Sequence, residues 1–204
     1  MRTKLRMKAL VVACFAVIGC SPLAPRPDLS KFFLLAPIPA GTSVMPANGN
    51  LVIGVGPVDF PDYLRRPDVV TRTSPTDIDI STTTLWGEPL DNNFNRVLRQ
   101  NLAQLLNTLK IEEYPWPRNT KIDYQVLIDV QRFEKDSQGQ SQLTARWIIK
   151  DGQSGKDLFA SETRVTTPVA AGDPVAAAAL SNNLATLSEQ IAAQVTNLSH
   201  QRLS

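Results

Sequence analysis

Cysteine and histidine carry much nucleophilic and metal chemistry, and this 204-residue chain has two of the first and one of the second. Cys14 and Cys20 both lie near the start, and His200 lies near the other end. A disulfide framework needs cysteines spread through a domain, and a zinc site needs spaced Cys/His ligands. A Ser-His-Asp device would have to be assembled around a chain terminus. Carboxylates cluster in "DIDI" (77–80) and "IEEYPWP" (111–117). Paired acids catalyse only at fixed separations in a cleft, which sequence spacing does not set. "GVGP", from Gly54 to Pro57, begins like a dinucleotide fingerprint but lacks the third glycine and the helix that should follow. The residues therefore predict no catalytic group, no metal site and no cofactor.

Cys20 has a chemistry of its own. Arg2, Lys4, Arg6 and Lys8 precede an apolar run from Ala9 to Ile18. That run is half the ~20 residues a membrane-spanning helix requires. A basic start, a short apolar stretch and small residues at its end describe a secretory signal peptide over 1–19. It closes on Val17-Ile18-Gly19-Cys20, which fits a bacterial lipobox. The motif implies a thioether-linked lipid on Cys20, cleavage before it and acylation of the new amino terminus. A buried methylene contributes ~0.8 kcal/mol and one chain holds a protein only reversibly, so three chains make a stable anchor. Ser21 stands where an inner-membrane retention signal would place Asp, which directs the expected anchor to the outer membrane.

Cleavage removes four cations, leaving 17 Lys+Arg against 19 Asp+Glu, a side-chain sum of −2. The basic pI of the full chain belongs largely to the leader, and no nucleic-acid partner is expected. Residues 20–30, "CSPLAPRPDLS", form a Pro-rich tether with a reach of about 30 Å at about 3.1 Å per residue. Residues 31–204 are expected to form one periplasmic domain.

That domain must position any working surface. "KFFLLAP" and "NLVIGVGPVDF" are strand-like, "DVVTRT" and "DIDIST" are short strands around Ser74-Pro75, and residues 121–167 alternate as a three-stranded antiparallel meander. In the first meander strand, Ile122, Tyr124, Val126, Ile128 and Val130 face one way. Phe94, Val97, Leu98, Leu102, Leu105, Leu106 and Leu109 make one helical stripe, started by Pro89 and Asp91. A long last helix opens at Asp173-Pro174 with a seam of Leu180, Leu184, Leu187, Ile191, Val195 and Leu198. The expected class is α+β: a mostly antiparallel or mixed sheet of about six or seven strands with two long helices on one face.

One segment reads as a docking corner. Pro57, Pro61 and Pro67 stiffen the chain around Tyr63 and Leu64, which stand beside Arg65 and Arg66. The ordered set Tyr63-Leu64, Arg66-Pro67, Val70-Thr71-Arg72, Trp86, Glu88-Pro89-Leu90 and Trp147 resembles the PqiC/YmbA-like family of auxiliary lipoproteins of ABC-type and MCE-type transport systems. The likeness spans essentially the whole mature chain. Arg65 and Gly87 depart from it, standing where an acid or polar residue and an alanine are common.

The resemblance implies a non-enzymatic, lipid-anchored subunit on the periplasmic face of the Gram-negative outer membrane. It implies an MCE-domain protein as partner and a role in moving lipid between membranes and keeping the envelope intact. Tyr63, Leu64, Arg66, Arg72 and Trp86 are the candidate partner-binding residues. Two alternatives stay open: an independent envelope-assembly lipoprotein acting on lipopolysaccharide or barrel proteins, and a periplasmic hydrolase. Direct lipid binding by the domain and self-association of its alanine-rich last helix into a homo-oligomer are open as well.

Overall fold

The structure, a computed structural model, describes residues 29–41, 50–170 and 176–203. Cys20, the tether up to residue 28 and the Asp173-Pro174 helix start lie outside them. The strands are β1 (Lys31–Phe33), β2 (Ile53–Asp59), β3 (Asp68–Arg72), β4 (Ile78–Trp86), β5 (Ile111–Glu113), β6 (Tyr124–Asp136), β7 (Gln140–Asp151) and β8 (Asp157–Pro168). The helices are α1 (Leu90–Leu105) and α2 (Ala177–Leu203), and a single 3-10 turn spans Asp62–Leu64. The result is a mixed eight-stranded sheet with two helices, the expected α+β class with slightly more strands. The additional strand is β5, three residues long, and β1 occupies only the first three residues of the strand-like "KFFLLAP". Strands that short are defined by their neighbours: β1 lies parallel to β4 and β5 parallel to β2.

β6 organises the sheet. One edge pairs antiparallel with β7, and β7 with β8, which is the meander read from the alternation. Tyr124, Val126, Ile128 and Val130 are buried together with Leu143, Ala145, Trp147 and Ile149 of β7. The other edge forks. β2 runs parallel to β6 as far as Asp59 opposite Asp129, and β3 rejoins in parallel at Thr71 opposite Lys135. Between these pairings the 3-10 turn fills the gap. A register shift between Val130 and Arg132 changes the phase, so Phe133 enters the core although the preceding alternation would point it outward.

α1 buries Leu90, Phe94, Val97, Leu98, Leu102 and Leu105, most of the predicted stripe. It stops because Asn107 takes a left-handed backbone (φ 48), which asparagine tolerates better than most residues. Leu109 therefore leaves the stripe and is 99% exposed, a correction to its place in the helix pattern. In α2, Leu180, Leu184, Leu187, Ile191 and Val195 are buried in the same cluster as the α1 residues, with Leu198 partly buried against it.

Between the helices lies an extended strap, residues 34–39, held by side chains rather than by a strand. The amide N–H of Leu35 donates to Asn93 Oδ1 (3.1 Å), that of Ala36 to Ser181 Oγ (3.0 Å) and that of Ile38 to Asn101 Oδ1 (2.9 Å). Gln104 Nε2 donates to the Pro39 carbonyl (2.6 Å), and Asn101 Nδ2 to Ser188 Oγ across the helix pair (3.1 Å). A buried amide must find a partner. These polar residues supply one where no ladder exists.

The "GVGP" glycines have a packing reason. A Cβ on Gly54 would stand 2.7 Å from the Trp116 ring, and one on Gly56 2.8 Å from Tyr114 Cβ. Tyr114 and Trp116 meet edge to face, 5.5 Å between centroids, against β2. Overpacking of this kind costs about 1–3 kcal/mol. Gly54→Ala is expected to destabilise the protein by that amount in denaturant unfolding. In a Trp116→Ala background the same substitution should cost much less, and an equal cost in both would refute the contact.

Candidate functional site

The five candidate residues fall on three environments. Leu64 and Trp86 are core side chains, 3% and 5% exposed, so neither presents itself as surface. Leu64 sits at the end of the 3-10 turn with its amide donating to the Pro61 carbonyl (3.0 Å). Trp86 closes β4, its amide donating to the Pro67 carbonyl (2.7 Å). The chain before β3 is thereby tied to the end of β4.

Tyr63 and Arg72 converge on a carboxylate that periodicity passed over, Glu134. It is 2% exposed, at the fork where β6 has lost its strand partner. Glu134 Oε1 accepts from Arg72 Nε (2.8 Å) and Arg132 Nε (3.0 Å). Its Oε2 accepts from the Tyr63 hydroxyl (2.9 Å) and from the Phe133 amide (2.9 Å). Arg72 also lies over the Tyr63 ring, 5.3 Å from its centroid, within cation–π range. An ionised carboxylate can be buried only when paired and hydrogen-bonded, and this one has four donors. The sequence did carry a signal for it. Phe133 breaks the alternation of β6, and the break places an acid where an apolar residue would otherwise point inward.

Burial pushes the Tyr63 phenol up to about 12, with the Glu134 charge adding to the shift and the Arg72 contact opposing it.

Arg66 belongs to the third environment. Arg65, Arg66 and Pro67 on one side, and Trp86, Gly87, Glu88, Pro89 and Asp91 on the other, line an open groove of about 360 Å³. Glu88 is fixed from α1 by Arg96, through Nη2 (2.5 Å) and Nε (3.0 Å). Arg65 is exposed and only loosely approached by Asp62 (3.9 Å). Arg66 is half-buried, and its Nε, shut off from solvent, has no hydrogen-bond partner. The two motif segments, distant in sequence, thus form opposite walls of one groove. Its cations, acids and proline edges suit contact with a polypeptide, and among the described residues no group of three His, Cys, Asp or Glu is placed to hold a metal.

Comparison with known proteins follows the same residues. Residues 33–192 match the family described as ABC-type transport auxiliary lipoprotein component. The Escherichia coli (strain K12) intermembrane transport lipoprotein PqiC is 31% identical over 98 residues, 48% of this chain and 50% of that protein. The Shigella flexneri protein of the same name matches equally. The chain thus spans about half the length of the curated relatives it matches. Two crystal structures share the fold, each with a TM-score of 0.66. One is an uncharacterized protein, 21% identical, covering 81% of this chain and 98% of that one. The other is from Xanthomonas campestris, 14% identical, covering 84% and 98%.

Two predictions follow from the clamp. Glu134→Gln leaves two guanidiniums facing a neutral amide, and is expected to cost about 1–3 kcal/mol in chemical denaturation. The Tyr63 phenol is held protonated more tightly folded than unfolded, so its contribution is complete below pH 10 and declines as pH rises towards 12. The stability gap between the parent and Tyr63→Phe should therefore narrow over that window, and a gap unchanged from pH 8 to 12 would rule the linkage out.

Proposed function

The chain belongs to the family of ABC-type transport auxiliary lipoprotein components, and from that premise we propose that it is a docking subunit of an MCE-type intermembrane lipid transport system. In this reading acylated Cys20 anchors it to the periplasmic face of the outer membrane, and an MCE-domain protein is its partner. The family match over residues 33–192 carries the reading. The Escherichia coli relative, named for intermembrane transport, supports its direction.

Two structural facts favour docking over lipid carriage or catalysis. The interior cavity between Leu64, Trp86, Phe133, Leu180 and the acids Asp68 and Glu134 holds about 10 Å³, and the larger hollows, of about 540 Å³ beside Arg72 and about 360 Å³ beside Arg66, are open to solvent. Sites that enclose a small molecule run to about 300–1,000 Å³. The buried carboxylate, in turn, has its four hydrogen bonds committed to the fold. A filled body with a rigid corner suits contact with another protein.

Arg66 and the groove beside it are the proposed partner surface, with Arg65 at its rim. Tyr63 and Arg72 support that surface from below through Glu134. Leu64 and Trp86 shape it from within the core.

The test is photo-crosslinking in intact cells from a photoreactive residue replacing Arg65, which leaves the clamp whole. The expected adduct is the MCE-domain protein, weakened when Arg66→Glu is added. Adducts only with lipid or with a second copy, or none, from an abundant and acylated protein would overturn the dock.

A further inference from the structure

β1 ends the sheet's strand order, and its apolar outer side is exposed among the described residues. Leu29, Phe32 and Leu34 are 70%, 65% and 52% exposed. Phe33 and Leu35 alternate with Phe32 and Leu34 and turn inward, Leu35 fully buried, while Leu29 precedes the strand. Phe32 stands in register beside half-buried Leu85 of β4. Leu34 reaches across Gly87, where an added Cβ would lie 3.2 Å from Leu34 Cδ2. Sheet edges are ordinarily blunted by charge, proline or cover, and clustered exposed apolar side chains mark a contact surface.

The position of this edge in the chain indicates what it meets. Leu29 follows Cys20 by nine residues, so even a fully stretched polyproline-like linker keeps it within about 28 Å of the anchor. Of the charges beside the patch, Glu88 is held by Arg96, whereas Arg65 is only loosely approached by Asp62. Apolar burial is the force that the exposed side chains themselves supply. Exposed Lys31 sits within the strand, where a lysine can lay its stem along apolar surface and keep its ammonium in water.

We propose that Leu29, Phe32 and Leu34 seat the β1 edge in the headgroup–acyl boundary of the bilayer that carries the anchor. The seating rests on acylation of Cys20. It adds orientation to attachment: the β1 edge lies against the membrane, and β8, on the other side of β6, points away from it.

The experiment uses the full lipidated protein in nanodiscs of phosphatidylethanolamine and phosphatidylglycerol. No cysteine follows Cys20, so one introduced at Phe32, Leu34 or Leu109 takes a single nitroxide. Labels at 32 and 34 should be more accessible to oxygen than to a water-soluble nickel chelate, and a label at 109 the reverse. Raising the salt or replacing phosphatidylglycerol with phosphatidylcholine should leave that order unchanged. Adding Phe32→Glu and Leu34→Glu should shift a label at Leu29 to the aqueous pattern.

A water-like label at 32 overturns the proposal. So does spin–spin broadening at 32 that disappears on dilution with unlabelled protein, because a second copy then covers the edge. Mass spectrometry of the same sample reports acylation separately. A missing acyl mass would sink the anchor, and the seating with it, whereas an acylated protein with an aqueous patch would sink the seating alone.

Discussion

A single carboxylate holds the fork of the sheet together. Where β2 leaves β6 and β3 has not yet joined, one edge of β6 has no strand beside it. Backbone left in such a gap must be paired or hydrated. Glu134 resolves this locally, taking the Phe133 amide on the oxygen that also accepts from Tyr63. Its other oxygen draws in one arginine from β3 and one from β6 itself. Turn, returning strand and central strand thus meet on two oxygen atoms. An apolar residue at 134 would fill the space but satisfy none of these donors. Burying the charge is costly, and its use is to define one arrangement of three chain segments.

The helices show the same economy of polar groups on the other side of the core. Asn93 and Asn101 are eight residues apart on α1, close to two full turns plus a fraction, so both face the strap. Leu35 and Ile38 bury their side chains while their amides reach those two asparagines. Sliding the strap by one residue would leave both amide acceptors unmatched and would turn Leu35 and Ile38 away from the core. Register along the strap is therefore set twice, by apolar burial and by hydrogen bonding.

Periodic features were legible in the sequence and non-periodic ones were not. The meander, the seam of α2 and most of the α1 stripe follow from alternation and 3.6-residue spacing. Leu109 was misplaced because the left-handed residue at Asn107 lies inside an unbroken apolar pattern. β5 carries too few residues to show a period, and β1, although expected in "KFFLLAP", is shorter than that run. Glu134 and Arg132 escaped notice because a charged pair in a strand reads as solvent-facing, and only the phase break at Phe133 hinted otherwise. Leu64 and Trp86 illustrate the opposite limit. A motif singles out both, yet their side chains serve the core, and sequence alone does not separate a residue that forms a surface from one that supports it. The glycines of "GVGP" were set aside as a nucleotide motif. Their packing role depends on Tyr114 and Trp116, some sixty residues later, a contact no local pattern encodes.

The proposed membrane edge and the proposed dock are neighbours through β4. Phe32 is in register with Leu85, Trp86 follows, and Gly87 both receives Leu34 and lines the groove. A membrane-seated β1 would therefore set the groove close to the bilayer surface rather than at the far end of the body. A partner reaching that groove would have to extend to the outer membrane itself. An anchor alone would let the body tumble at the end of its tether, so the groove would face any direction. Seating one edge removes most of that freedom, and the entropy is lost before the partner arrives rather than upon binding. The short apolar strand would thus contribute to docking without touching the partner.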